Sequence, residues 1–474
     1  MKIRFILIAL LNICLIAAED GSGFQDESKK AICVQNVSII DVESGKVLEQ
    51  QTIQIRDGKI TFVGGSSSAP DAGEEVQVVN GRGKFAIPGL WDMHIHAYSP
   101  KDMQLFPING VVGVRLMWGM PMHHAWRKDF ESGTQLGPRM MIASAIIDGP
   151  KPIWPGSIVA IDKESGVAAV DKAIKGNADF AKVYSLLPRD AYFAIADTCK
   201  RKGLPFDGHV PRMVTVTEAS NAGQRSMEHM YEVQIACSSR ATELRKILAD
   251  FVEQNEGEVR SLFTGDAPGV MRQAFDSYDA EIAAELFSKL KKNSTWQCPT
   301  LTVLRNLAFL TEPEIQSNPN LKYINKGMRN FIAPKQPRRK QSDEQVLFER
   351  KRFEKTLQMV GSMHQAGVPI IAGTDVLNPF CLPGFSLHTE LQLMVKAGLS
   401  SAEALKTATI NAAKFQNKTD TMGSIAVGKM GDVVLLNENP LSDIANSRKI
   451  DTVIFRGQVL DRAKLDSKLK EFEN

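Results

Sequence analysis

The chain has 474 residues, enough for one large domain and a smaller one beside it. Its 43% hydrophobic and 23% charged residues are those of an ordinary globular protein, so a packed core is expected. A formal net charge of +3 gives no electrostatic footprint for nucleic acid or another strongly charged partner.

At the N-terminus, Lys2 and Arg4 form a positive region and residues 5–16 are apolar apart from Asn12. Ala17-Ala18 then precede Glu19-Asp20-Gly21. This is the pattern of a secretory signal peptide over residues 1–18, cleaved after Ala18. The apolar run falls short of the ~20 residues of a membrane-spanning helix. A secreted or periplasmic protein is expected, with no membrane attachment once the signal is removed. Ile13 is not the small residue that lipoprotein cleavage at Cys14 would need. The other cysteines, Cys33, Cys199, Cys237, Cys298 and Cys381, are scattered and odd in number. They read as buried small hydrophobes rather than as a disulfide framework or a thiolate metal site.

From Ala31 onward, short strand-like runs alternate with tight turns, and Asp57-Gly58 is a hairpin signal. The same texture returns at the other end, in Val433-Val434-Leu435-Leu436 and before the Arg456-Gly457 turn. Residues 31–86 and 424–465 are therefore expected to pair into one small β-sandwich domain built from both termini.

Between these segments Ile87-Pro88-Gly89-Leu90 leads into Trp91-Asp92-Met93-His94-Ile95-His96. Two residues apart in a strand share a face, so His94 and His96 form a ready pair of metal ligands. Seven further apolar runs follow, at 111–117, 140–147, 180–186, 204–210, 225–231, 296–303 and 368–375. Helix-length amphipathic stretches, such as 189–202 and 276–292, lie between several of them. Eight buried strands with helical crossovers predict a (β/α)8 TIM-like barrel over residues 87–423. An open doubly wound sheet would want a glycine-rich phosphate turn after its first strand, and none is present. Residues 237–271 exceed a simple loop after the sixth strand and are expected to form a lid or wall over the catalytic face. The basic run 335–340 reads as a solvated loop.

Catalytic groups of barrels sit at the C-terminal ends of the strands. There the chain places His94 and His96 (first strand), Lys182 (fourth), His209 (fifth), His229 (sixth) and Asp375 (eighth). Each has a bland alternative. His209 could be a core histidine bonded to a carbonyl, His229 a turn residue and Asp375 a helix cap. Lys182 resists such a reading. It lies between Ala181 and Val183 in a strand that should be buried, where an unpaired ammonium is costly. It must snorkel outward or be neutralised at the site. His123 and His124 read as loop residues, and His364 as a helix residue.

These motifs in order resemble the metal-dependent amidohydrolase superfamily, most closely its imidazolonepropionase-like and prolidase-like branch. The resemblance runs from about Ile32 to Leu465 and rests on Pro88-Gly89-Leu90-Trp91-Asp92-Met93-His94-Ile95-His96, Lys182-Val183-Tyr184, Gly208-His209-Val210, Glu228-His229 and Gly373-Thr374-Asp375. It implies two divalent ions. His94, His96 and Asp375 would hold one, His209 and His229 the other, and Lys182, carboxylated on its side-chain nitrogen, would bridge them. The imidazole and carboxylate ligands suit zinc, with iron, manganese and cobalt as alternatives. It also implies attack by a hydroxide between the ions, with Asp375 passing a proton to the leaving nitrogen. Tyr184, Tyr231, Arg115 and His388 are the expected substrate contacts. The expected activity is hydrolysis of a C–N amide bond in a small substrate, with an Xaa-Pro-like dipeptide leading. The alternatives are a lactonase or phosphotriesterase on the same metal centre, and a catalytically silent binding protein. A homo-oligomer is compatible with the sequence.

Overall fold

The first strands alternate buried and exposed residues, and the turn between the second and third needs left-handed backbone. In the computed structural model, which describes residues 31–71, 73, 75–254, 269–335 and 342–473, β1 (Ala31–Asp41) pairs antiparallel with β2 (Lys46–Arg56). Asp57 and Gly58 then take φ of +51° and +71°, the double positive φ of a two-residue hairpin turn, and β3 (Lys59–Gly65) returns along β2. The expected hairpin is there. β4 (Val76–Asn80) and β5 (Phe85–Pro88) run parallel to successive parts of β1. The predicted signal peptide, residues 255–268 of the predicted lid and most of the basic run lie outside the described residues.

Only Gly89 separates β5 from β6 (Leu90–Ile95), the strand that carries both leading histidines. Next come β7 (Val111–Leu116), β8 (Arg139–Asp148), the short β9 (Ile158–Val159), β10 (Phe180–Val183), β11 (Phe206–Gly208), β12 (Ser226–Glu228) and β13 (Trp296–Cys298). They form a parallel sheet in the order β13-β12-β11-β10-β8-β7-β6, with β9 on the edge of β8. The predicted eighth strand closes this sheet as an extended segment stitched by single parallel bridges, Gln297 to Ile370 on one side and Ile95 to Val376 on the other. Its irregularity has a steric cause. A Cβ at Gly373 would lie 2.5 Å from Cys298 Sγ and 2.8 Å from His94 N, so only glycine lets the segment close on β6. Two residues later Asp375 turns out of the ladder at φ +61°.

Helices cover the barrel. The predicted one at 189–202 is Arg189–Lys202, stopped by Gly203 at φ +69°. His123 differs from expectation. Pro121 opens the helix Pro121–Ser132, which carries His123 inward, and its Nε2 lies 3.0 Å from Ala97 O. The long insertion supplies the helix Ala241–Gln254, which packs with Val270–Asp276 around Ile235, Leu244, Leu248, Val270 and Ala274. Arg245 of that helix donates to Glu232 at 3.0 Å and to Val214 O, which fixes the insertion beside the ends of β11 and β12.

The chain returns in β14 (Val433–Leu436), β15 (Ile450–Phe455) and β16 (Gln458–Leu460), which complete one eight-stranded sheet through β14 against β5. Ile32, Val34, Ile53, Ile55, Val433 and Ile454 share its apolar core. Arg139 Nε, at the start of β8, donates to Asp432 Oδ2 at 2.8 Å and ties barrel to sheet. The five cysteines outside residues 1–30 are buried and free, as small hydrophobes. Among the described residues no helix is long and apolar enough to cross a membrane.

Candidate metal centre

The six predicted ligands come from five segments, and all lie at the C-terminal mouth of the barrel. His94 is 1% exposed, and its Nδ1 lies 2.7 Å from Glu228 Oε2. A carboxylate only accepts, so the proton sits on Nδ1 and the Nε2 lone pair faces inward. That Nε2 is 3.4 Å from Asp375 Oδ1, and His96 Nε2 is 3.2 Å from the same oxygen. His229 and His209 are oriented in the same way. His229 Nδ1 pairs with Thr300 Oγ1 at 2.7 Å, and His209 Nδ1 with Ser185 Oγ at 2.8 Å. The rings of His94 and His209 each stand 4.9 Å from that of His229, centroid to centroid. Potential ligand atoms of His94, His229 and Asp375 all fall within 4.8 Å of one another.

Lys182 points into the same space and is 1% exposed. Gly208 makes room for its stem. There φ is +138°, and a Cβ would lie 2.2 Å from Val183 O and 3.1 Å from Lys182 Cδ. The snorkelling alternative is thereby removed. Burial pulls the Lys182 amine down to about 8 against the attraction of Glu228. Burial also holds His94 and His209 well below the usual histidine range, so both are neutral and fit to coordinate. Burial pushes Asp375 up, but the imidazoles of His94, His96 and His229 outweigh it and hold the carboxyl below the usual range.

A divalent cation fits this donor set on structural grounds. His96 Nδ1, Lys182 Nζ and Asp375 Oδ1 are buried with no hydrogen-bond partner. Groups of this kind cost ~1–3 kcal/mol each when left uncompensated, and a cation between imidazole nitrogens and a carboxylate removes part of that cost. His229 and Asp375 both sit at φ +61°, and Thr300 at +49°. Non-glycine residues at positive φ cluster at such sites because the surrounding fold over-determines them.

Several supporting residues lie beyond the reach of the sequence argument. Glu228 precedes His229 in a quoted motif, yet its contact with His94 spans 134 positions. Asp92 fixes the eighth segment, accepting Thr374 Oγ1 at 2.6 Å and Thr374 N at 3.0 Å. Of the expected substrate contacts, Tyr184 and Tyr231 are at the mouth. The Tyr184 ring stacks on His209 at 4.0 Å, and that of Tyr231 stands 5.9 Å from His229. A narrow cleft, open to solvent, runs over His209 and His229 and is lined also by Ser185, Arg212, Tyr231 and Glu232. Arg115 and His388 are placed elsewhere. Arg115 is fully buried beneath the centre, donating to Glu228 at 2.8 and 2.9 Å, to Ser226 Oγ at 2.8 Å and to Met93 O at 2.6 Å. His388 bridges Ser447 Oγ and Asn109 O, each at 3.0 Å, at the back of the barrel wall.

Fold and site together define a (β/α)8 protein with a candidate metal centre in the barrel mouth. The particular family follows from comparison. The amidohydrolase family model matches residues 121–460, well over half of the chain, and the chain belongs to that family. A probable imidazolonepropionase of Xenopus laevis is 34% identical over 105 residues, which are 21% of this chain. The chain spans only 23% of that relative's length. Among solved structures, a bottromycin amidohydrolase is 22% identical with a TM-score of 0.73, covering 94% of this chain and 91% of its own. An Xaa-Pro dipeptidase with methionine bound in its active site is 18% identical with a TM-score of 0.64, covering 91% and 100%. These two likenesses show the fold.

Proposed function

We propose that the protein is an exported, two-metal hydrolase that cleaves the C–N amide bond of a small substrate, an Xaa-Pro-like dipeptide. The observation that carries this reading is the convergence of ligand atoms of His94, His229 and Asp375 within 4.8 Å of one another beside the buried Lys182 amine, which has no hydrogen-bond partner. The imidazolonepropionase relative and the Xaa-Pro dipeptidase neighbour support the class of bond. In this reading His94, His96 and Asp375 would hold one ion and His209 and His229 the second, and Lys182, carboxylated on Nζ, would serve both. When bound, the two ions, zinc by the donor set, supply Lewis acidity and water that is activated near neutral pH.

The remaining steps belong to the chain. The Asp375 carboxylate takes the proton of the attacking water and delivers it to the leaving nitrogen, which cannot depart as an anion. Glu228, braced by Arg115, keeps the His94 proton on Nδ1. Tyr184 and Tyr231 close the cleft around the substrate. The test is a hydrolysis screen with the protein from residue 19 onward, reconstituted with zinc. Prolyl and non-prolyl dipeptides, lactones and phosphotriesters are offered side by side. Cleavage of dipeptides, prolyl ones fastest, is expected. Turnover of lactones or phosphotriesters alone would overturn the substrate reading, and a chain that retains no metal would overturn the centre.

A further inference from the structure

Four neighbouring barrel strands lead into an aromatic residue at the mouth. Tyr98 follows β6, Trp118 follows β7, Trp154 lies in the loop after β8, and Tyr184 follows β10. The rings are contiguous. Tyr98 and Trp118 meet edge to face at 6.4 Å and 86°, and Trp118 and Trp154 are tilted at 5.8 Å and 45°. Trp154 Nε1 donates to Tyr184 Oη at 2.9 Å, and Tyr184 stacks on His209. The row thus ends on a proposed metal ligand. Its other end, Tyr98, lies two residues beyond the proposed ligand His96.

Trp154 is 37% exposed. A single exposed apolar side chain needs no explanation, but one joined to two other rings at the mouth of a site does. Nor is it presented on a slack loop. Pro150, Pro152 and Pro155 restrict the backbone on both sides of it. Ile153 packs with Ile146 and Tyr184, and Asp148 accepts Ile153 N at 3.2 Å and Leu186 N at 2.8 Å. Across the mouth the wall is charged, with Arg212 paired to Glu232. The barrel mouth therefore has an aromatic side after β6 to β10, next to a cleft over His209 and His229 whose charged wall follows β11 and β12.

We propose that Trp118 and Trp154 form a subsite for an aromatic side chain of the substrate and set the preference of the enzyme for it. The proposal rests on the hydrolase reading and names the substrate class of that site. Rings prefer offset or edge contacts with other rings, and a pinned tryptophan offers its face at little entropic cost.

The test compares kcat/KM for Phe-Pro with that for Gly-Pro in wild type, Trp154→Ala, Trp154→Phe and Trp118→Ala. Wild type should favour Phe-Pro by about tenfold or more, since apolar pocket contacts of this size discriminate ~10–200-fold. In Trp154→Ala and Trp118→Ala that ratio should fall about tenfold. In Trp154→Phe, which keeps a ring but not the hydrogen bond to Tyr184, it should stay within about threefold of wild type. An unchanged ratio in both alanine variants would overturn the subsite. A second readout needs no turnover. L-phenylalanine titrated into the metal-loaded protein should change tryptophan fluorescence saturably, glycine should not, and the response should be lost in Trp154→Ala. Saturable binding of phenylalanine without cleavage of any dipeptide would remove the hydrolase reading and leave the subsite standing. Cleavage indifferent to the ring would do the reverse.

Discussion

Lys182 is the residue on which the centre depends most. It is buried, its Nζ has no hydrogen-bond partner, and a side chain at Gly208 would crowd its stem. Lys182→Ala should lose metal and turnover together, because in the proposed centre this one residue would serve both ions. Lys182→Glu should regain part of the metal by restoring charge and oxygen donors. Metal analysis of the purified variants decides this, and wild-type metal content in Lys182→Ala would remove the lysine from the centre. Asp375→Asn should keep much of the metal while turnover falls ~10²–10⁴-fold, the usual loss for a general base. Turnover within about tenfold of wild type would free Asp375 from that role. Arg115 makes a contrasting prediction. As the brace of Glu228 it should matter for stability and metal rather than for substrate affinity. Arg115→Met strands a buried carboxylate, which costs ~3–5 kcal/mol, and loosens the partner of a ligand, which costs ~10–100-fold in metal affinity. Chemical denaturation and metal titration measure the two, and a pure rise in KM would return Arg115 to the substrate.

At the scale of elements, two buried histidines outside the ligand set, His388 and His123, couple the helices to pH. Burial pulls His388 down to about 4, aided by Arg448 and opposed by its bond to Asn109 O. His123 is pulled to about 4 by burial against its bond to Ala97 O. In the unfolded chain both titrate near the ordinary value of ~6.5. Between those values the unfolded state binds the protons and the folded state does not, so stability is full above pH 6.5 and falls as the pH drops toward 4. The unfolding temperature should decline over that window, less steeply in His388→Gln, and identical slopes in the two proteins would refute the assignment. The insertion is an element with a core of its own, held at the mouth by Arg245. Replacing residues 255–268 by a short Gly/Ser linker should change relative kcat/KM among substrates and leave the metal content unaltered. Unchanged selectivity would make the insertion a surface elaboration.

For the whole molecule, the expected export makes a prediction of its own. The protein recovered outside its native cytoplasm should begin near Glu19, as N-terminal sequencing would show, and retention of residues 1–18 would refute the signal peptide. What the linear chain determined by itself was everything carried by local spacing. The two-residue interval that puts His94 and His96 on one face, the Asp57-Gly58 turn, the eight apolar runs and the lysine between Ala181 and Val183 all depend on near neighbours, whose geometry the backbone alone dictates. Tertiary structure decided the rest. Whether the sheet closed, which carboxylate held the proton of His94, and where Arg115 and His388 went all depend on residues far apart in sequence. Glu228 reaches His94 across 134 positions, and Asp92 reaches Thr374 across 282. Those pairs exist only because the barrel closes, which turns the end of β12 toward β6 and brings the last segment beside β6. Local periodicity marks each strand as buried but does not say which side chain will stand opposite it.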